Sequence, residues 1–177
     1  NNMEFKHTHR AMVFPGQGSQ YVGMGKKLAE QHPVAKEVFQ EVDDALGTPL
    51  FKLMCEGPEE ELILTKNAQP ALMATTIAAF RAMEEENLMP DSINFFAGHS
   101  LGEYSALACV GSINFEDTLK ILQKRGKFMQ EAVPSGEGAM LAVLGMPSKE
   151  LDKILETNNE KYKCFIANDN SNLQVVV

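Results

Sequence analysis

The segment Gly98-His99-Ser100-Leu101-Gly102 constrains this chain more than any other. It fits G-x-S-x-G. A short apolar run, residues 93–97, reads as a strand feeding into it, and residues 101–110 read as a helix leaving it. A sharp strand-to-helix turn forces the serine into a strained backbone conformation, and flanking glycines keep neighbouring atoms from clashing. Such a turn exposes the Ser100 hydroxyl and aims the N-terminus of the next helix at it. The Leu101 backbone N–H can then donate to a developing oxyanion, assisted by the helix dipole. The plainer alternative is a glycine-bounded turn that happens to hold a serine, and the strand–helix context weighs against it.

A serine nucleophile needs a base within hydrogen-bond reach. The four histidines are His7, His9, His32 and His99, and none follows Ser100. The His99 side chain should point away from Ser100 at such an elbow. His7 and His9 sit in a polar N-terminal segment, and His32 precedes Pro33 at a helix boundary. The base is therefore absent, unconventional or beyond residue 177, and the last reading is preferred. Val175-Val176-Val177 is an apolar β-forming run, and a chain that stops mid-strand leaves a partner edge open.

A second loop points to the same sheet edge. Residues 11–14 read as a buried strand ending at Pro15-Gly16, followed by Gln17-Gly18-Ser19-Gln20. The loop fails the dinucleotide fingerprint, which requires glycine where Tyr21 stands, and it lacks the Gly-Lys-Ser/Thr of a Walker A loop. The Gln17 backbone N–H can instead serve an oxyanion. The alternative is a turn that uses glycine only for positive φ.

Arg125 is the most informative charge. On a helix predicted for residues 115–132, with Asn114 as its N-cap, Ile121, Leu122, Phe128, Met129 and Ala132 lie within about 60° of it at ~100° per residue. The spacing therefore predicts that Arg125 emerges from an inward-packing face. A lone cation there needs an anion. That anion is either an internal Asp or Glu, or a substrate carboxylate held by two parallel hydrogen bonds.

Helical patterns cover residues 25–31, 33–46 and 69–86, with Leu72, Met73, Ile77, Phe80 and Met83 on one face of the last. Residues 47–66 are mixed. Strands alternate with helices as far as Val133, which suggests a parallel α/β sheet. From about Gly136 the texture becomes β-α-β-β (strand 139–144, helix 148–157, strand 162–167, strand 173–177), the opening of a ferredoxin-like unit. The predicted organisation is residues 1–135 as one subdomain and 136–177 as the beginning of another. The net charge of −8 argues against nucleic acid as a bulk partner. The longest charge-free run, residues 11–25, is too short and polar to span a membrane. Residues 1–10 hold no apolar signal segment. Three widely spaced cysteines suit a reducing compartment, not a disulfide framework or a C-x-x-C metal site.

Four ordered motifs resemble the malonyl-CoA:acyl carrier protein transacylases. They are Phe14-Pro15-Gly16-Gln17-Gly18-Ser19-Gln20, then Gln69-Pro70-Ala71-Leu72, then Gly98 through Ala106, then Arg125-Gly126-Lys127-Phe128-Met129-Gln130. Gly138-Ala139-Met140 also fits, and the resemblance runs from about Met12 to the end. It implies an α/β-hydrolase-like parallel-sheet subdomain with an inserted ferredoxin-like subdomain, both incomplete in this chain. It implies ping-pong transfer of a malonyl group from malonyl-CoA, through a Ser100 acyl-enzyme, to the phosphopantetheine thiol of acyl carrier protein in cytoplasmic fatty acid biosynthesis. Gln17 and Leu101 would form the oxyanion hole, and Arg125 would grip the malonyl carboxylate. Gln69, His99 and Asn170 would join the substrate-binding residues. No cofactor or metal is implied, because the coenzyme A thioester is the substrate. The base would be a histidine after the insertion, with a late glutamine nearby, and this chain holds neither position. Asn168-Asp169-Asn170-Ser171 resembles the family's Asn-x-Asn-Ser segment, although the following Pro-Gly is Asn172-Leu173 here.

Three other readings compete. A generic serine hydrolase shares the elbow but leaves Arg125 and the Gly-Gln-Gly loop unexplained. A polyketide-type acyltransferase fragment differs mainly in context. A non-enzymatic interaction fragment draws its support from the missing histidine. An acidic carrier would need a local basic patch, Lys120, Lys124 and Lys127 or Lys149 and Lys153, and solvated helix faces are the plainer reading of those lysines.

Overall fold

The computed structural model describes residues 9–134, 136–158 and 163–177. His7, Ser135 and Tyr162, each part of an expectation above, lie outside them. The chain forms two compact units, Asn1–Ala132 and Val133–Val177.

In the first unit, β1 (Ala11–Phe14) and β2 (Phe95–Gly98) pair in parallel, with Ala11 opposite Phe95 and Phe14 opposite Gly98. Parallel strands need a long crossover. Here it consists of five helices: α1 (Lys26–Gln31), α2 (Pro33–Leu46), α3 (Leu50–Glu56), α4 (Glu59–Leu62) and α5 (Thr65–Glu85). Pro33 takes the first position of α2, where its missing N–H has no cost, and Gly47 closes the helix at φ 64°. Ala35, Val38, Phe39 and Val42 face inward from α2 at helical spacing. The mixed segment 47–66 holds α3 and α4, too short to persist by propensity. Packing fixes them through buried Leu50, Met54 and Leu62, and the Phe51 ring stacks on Phe39 at 4.3 Å.

Helix α5 is the axis of this unit. It begins at Thr65, one turn before the apolar spacing becomes visible at Gln69. Ten of its residues are buried, five of them alanine. Helices α2, α6 (Leu101–Cys109) and α7 (Phe115–Ala132) all pack against it, and its buried alanines cluster on one side of the helix. Strand β2 begins at Phe95, not at residue 93. Arg10 and Asn94 bond to each other just before the strands meet, the Arg10 N–H to Asn94 Oδ1 and the Asn94 N–H to the Arg10 carbonyl, both 2.9 Å.

Helix α7 starts as predicted, with Asn114 Oδ1 accepting the Asp117 N–H at 3.2 Å. Its inward face differs from the expected one. Thr118, Leu119, Leu122 and Gly126 are buried, while Phe128 is 64% and Met129 47% exposed. The reason is Gly126. A Cβ there would stand 2.6 Å from the Thr65 carbonyl oxygen, so the helix turns its glycine, not its largest apolar side chains, toward α5. Arg125 thereby sits at the border of the buried face.

Among its described residues, the second unit is a three-stranded antiparallel sheet with one helix. Strands β3 (Ala142–Leu144), β4 (Asn168–Ser171) and β5 (Gln174–Val176) lie in the order β3-β5-β4, and α8 (Ser148–Asn158) follows β3. Among its described residues, Leu151 and Val175 are the buried apolar ones. The strand expected over 162–167 is displaced to Asn168–Ser171. The tight turn at Asn172–Leu173 sets the register against β5, with a bulge between Asp169 and Ser171, and this overrides the apolar run Phe165-Ile166-Ala167. Among the described residues no helix is long and apolar enough to cross a membrane.

The Phe39 ring, 1% exposed and stacked on Phe51, predicts a large cavity on truncation. Phe39→Ala should lower stability by about 3 to 5 kcal/mol, read as a shift of the urea midpoint.

Candidate active site

The site is built where three backbones converge. Ser100 stands between β2 and α6 with φ 55° and ψ −114°. A non-glycine residue held there stores roughly 1–3 kcal/mol of strain, so its surroundings must over-determine it. The His99 N–H donates to the Phe14 carbonyl at 3.2 Å, the Gly102 N–H to the His99 carbonyl at 2.9 Å, and the Glu103 N–H to the Ser100 carbonyl at 3.1 Å. A Cβ at Gly98 would overlap the Gly102 carbonyl, and one at Gly102 would overlap the Phe14 carbonyl oxygen. Only hydrogen at both positions lets the turn close. Leu101, the first residue of α6, is buried, and helix geometry gives first-turn N–H groups no carbonyl within the helix.

The Gln17 loop lies against this turn. A Cβ at Gly16 would stand 2.8 Å from the His99 carbonyl oxygen and 3.0 Å from His99 Nδ1. The imidazole of His99 is therefore on the loop side of the elbow. The Gln17 carboxamide reaches the start of α5, with Nε2 donating to Thr65 Oγ1 at 3.4 Å. Within the loop, the Gly18 N–H donates to Gln20 Oε1 at 2.8 Å.

The close crossing at Gly126 carries Arg125 to the same place. Its Nη2 donates to Ser100 Oγ at 2.8 Å, and its Nη1 donates to Gln69 Oε1 at 2.7 Å. Gln69 is 1% exposed and turns its Nε2 toward Met129 Sδ at 3.1 Å. The guanidinium also lies over the Tyr104 ring, 5.6 Å from its centroid. These partners are a carboxamide, a hydroxyl and an aromatic face, all neutral. Of the two anions considered for Arg125, these contacts supply no internal Asp or Glu. A half-buried cation held by neutral groups is ready to take an anion beside the serine.

The structure thus brings Ser100, Leu101, the Gln17 loop, His99, Gln69 and Arg125 together in the first unit. Asn170 belongs to β4 of the second, where its Nδ2 donates to Gln174 Oε1 at 3.1 Å. Tyr104, Thr65 and the Met129 sulfur receive no role from the sequence. Tyr104 carries a usable signal, since four residues after Ser100 it falls on the same helix face. Of the basic patch considered above, Lys120 pairs with Glu116 at 2.6 Å and Lys127 with Glu131 at 3.7 Å. No group of three or more His, Cys, Asp or Glu among the described residues could hold a metal ion.

Residues 11–176 match the family model described as the acyl transferase domain. A malonyl CoA-acyl carrier protein transacylase of Bacillus subtilis (strain 168) is 50% identical over 168 residues, covering 94% of this chain and 52% of its own length. The crystal structure of an acyl-carrier-protein-S-malonyltransferase from Bartonella henselae superimposes with a TM-score of 0.90 at 50% identity, covering 95% of this chain and 54% of that one. A malonyl-transacylase solved in complex with a type II PKS acyl-carrier protein gives 0.89 at 44% identity, covering 96% of this chain and 54% of that one. The chain spans about half the length of the curated relatives it matches.

The backbone contact at Gly98 predicts a sharp contrast between two alanine substitutions. Gly47→Ala meets open space at φ 64° and should cost about 1–2 kcal/mol through its left-handed backbone alone. Gly98→Ala must push β2 and α6 apart. It should lower the melting temperature several times further, or abolish folding, in parallel thermal scans.

Proposed function

The chain belongs to the acyl transferase domain family, and we propose that it is the nucleophile-bearing portion of a malonyl-CoA:acyl carrier protein transacylase. Ser100 attacks the malonyl thioester, coenzyme A leaves, and the phosphopantetheine thiol of acyl carrier protein later takes the malonyl group from the serine. The Gln17 and Leu101 backbone N–H groups stabilise the oxyanion in both halves of the reaction. The base that moves the Ser100 proton comes from the half of the relatives' length that this chain does not span. The fold reading is of the same kind. The first unit is part of an α/β-hydrolase-like subdomain, and the second begins a ferredoxin-like insertion. Three free cysteines suit a reducing, cytoplasmic setting. The reaction needs no bound metal or organic cofactor.

One observation carries this reading, the 2.8 Å bond between Arg125 and Ser100 Oγ. It sets a permanent positive charge within a few ångströms of the nucleophile, so the preferred acyl group carries a negative charge close to its carbonyl. A malonyl group has its carboxylate one methylene from the thioester carbon. An ester hydrolase for neutral substrates has no substrate carboxylate for that cation to hold. Gln69, buried and bonded to the same guanidinium, is in this reading a positioning residue for Arg125. His99 and, on the second unit, Asn170 keep the substrate-binding roles that the family resemblance gives them.

The complete protein, incubated with labelled malonyl-CoA, should form a stable ester on Ser100 that a carrier-protein thiol discharges. Ser100→Ala should form none. Arg125→Ala should lose about 10²-fold in kcat/KM for malonyl-CoA. Prompt release of free malonate from the wild-type ester would favour a hydrolase instead.

A further inference from the structure

We propose that Arg125 restrains the nucleophile as well as binding the substrate: in the free site it holds Ser100 Oγ, and the incoming carboxylate releases that oxygen. The inference rests on the malonyl reading above and adds a second source of acyl selectivity to it.

The two hydrogen bonds of the guanidinium are unequal in their surroundings. The Nη1 bond ends on Gln69, which is buried, fixed on α5 and engaged on its other side with Met129. The Tyr104 ring supports the guanidinium face. These contacts anchor the group. The Nη2 bond ends on the hydroxyl of half-buried Ser100, whereas Gln69 is buried, so the serine bond is the one a ligand can replace. A carboxylate is a much stronger acceptor for a guanidinium than a neutral hydroxyl, because its hydrogen bonds are charge-assisted. A substrate carboxylate therefore draws Nη2 away from Ser100.

Acylation gives this exchange a direction. The Ser100 Oγ–carbon bond forms, the thioester carbon–sulfur bond breaks, and the hydroxyl proton leaves through the base to the departing thiol. The serine oxygen changes from a hydroxyl to the bridging oxygen of an ester, a far weaker acceptor. Acylation thus sacrifices the Arg125–Ser100 bond. A neutral acyl group offers nothing in exchange, so Arg125 stabilises free serine over neutral acyl-serine. A carboxylated acyl group replaces the lost bond with a stronger one. Selectivity then arises at the chemical step and not only in binding.

Formate tests this without any acyl group, because it is a carboxylate small enough to leave the acyl pocket open. In the complete protein, a neutral sulfonyl fluoride forms an Oγ–sulfur bond at Ser100 and expels fluoride and the proton, and intact mass follows the rate. Formate should accelerate this modification saturably, by roughly tenfold, while chloride at matched ionic strength should not. Arg125→Ala should react at the fast rate without formate and ignore it. No acceleration of the wild type by formate would overturn the proposal, and this comparison needs no variant to fold. Equal formate dependence in Arg125→Ala would also overturn it. A malonyl ester formed from malonyl-CoA with no formate effect would remove the restraint and leave the transacylase reading intact. A formate effect without a malonyl ester would support the restraint and overturn that reading.

Discussion

The site depends on backbones that touch where a side chain would normally separate them. Gly98 and Gly102 bring the end of β2 against the start of α6, and Gly102 brings both against the Phe14 carbonyl of β1. The strained φ of Ser100 is a consequence of that closure. The parallel pairing of β1 and β2 fixes where the closure happens, because Phe14 lies opposite Gly98 in the register. The Gln17 loop leaves β1 at the same level and meets the elbow at Gly16. Two loops about eighty residues apart in sequence thus share one sheet edge because four-residue strands pair in register.

A second close approach does the same for the charge. Gly126 lies on the backbone of Thr65 and Lys66, so α7 crosses the start of α5 at short range. Thr65 accepts the Gln17 side chain, and Gln69, one turn further along α5, accepts Arg125. The first turns of α5 therefore tie together the loop proposed to donate to the oxyanion and the cation proposed to bind the carboxylate. Helix α5 can do this because α2, α6 and α7 all pack against it, and its buried alanines allow close approach on one side.

Much of this was legible in the sequence because it rests on local rules. The elbow, the Asn114 cap, the Pro33 start of α2 and the two apolar strands each carry a short-range signal, although β1 is not the buried strand expected, since among the described residues it pairs only with β2 and Val13 is 75% exposed. What escaped was set by tertiary contact. Helices α3 and α4 have too few residues for a periodicity to emerge, and only burial of Leu50, Met54 and Leu62 holds them. The inward face of α7 was misplaced because apolar spacing weights Phe128 and Met129 over Gly126, whereas the backbone contact with α5 decides the rotation. The strand at Asn168–Ser171 is polar and owes its place to the hairpin with β5. The partner of Arg125 could not be read either, since Gln69 is buried for a reason that lies on another helix.

That partner being a carboxamide has a chemical consequence. Had residue 69 been a glutamate at the same 2.7 Å, the guanidinium would be neutralised in place and a second carboxylate would gain little by approaching. The carboxamide oxygen orients Nη1 without cancelling the charge, and the Tyr104 face supports the group without competing for its in-plane donors. The Ser100 hydroxyl accepts the remaining observed bond while the site is free. The cation is thus positioned by three neutral contacts and keeps its attraction for an anion. For an enzyme proposed to choose among acyl groups by a charge a few ångströms from the reacting carbon, neutral anchors are the arrangement that preserves that choice.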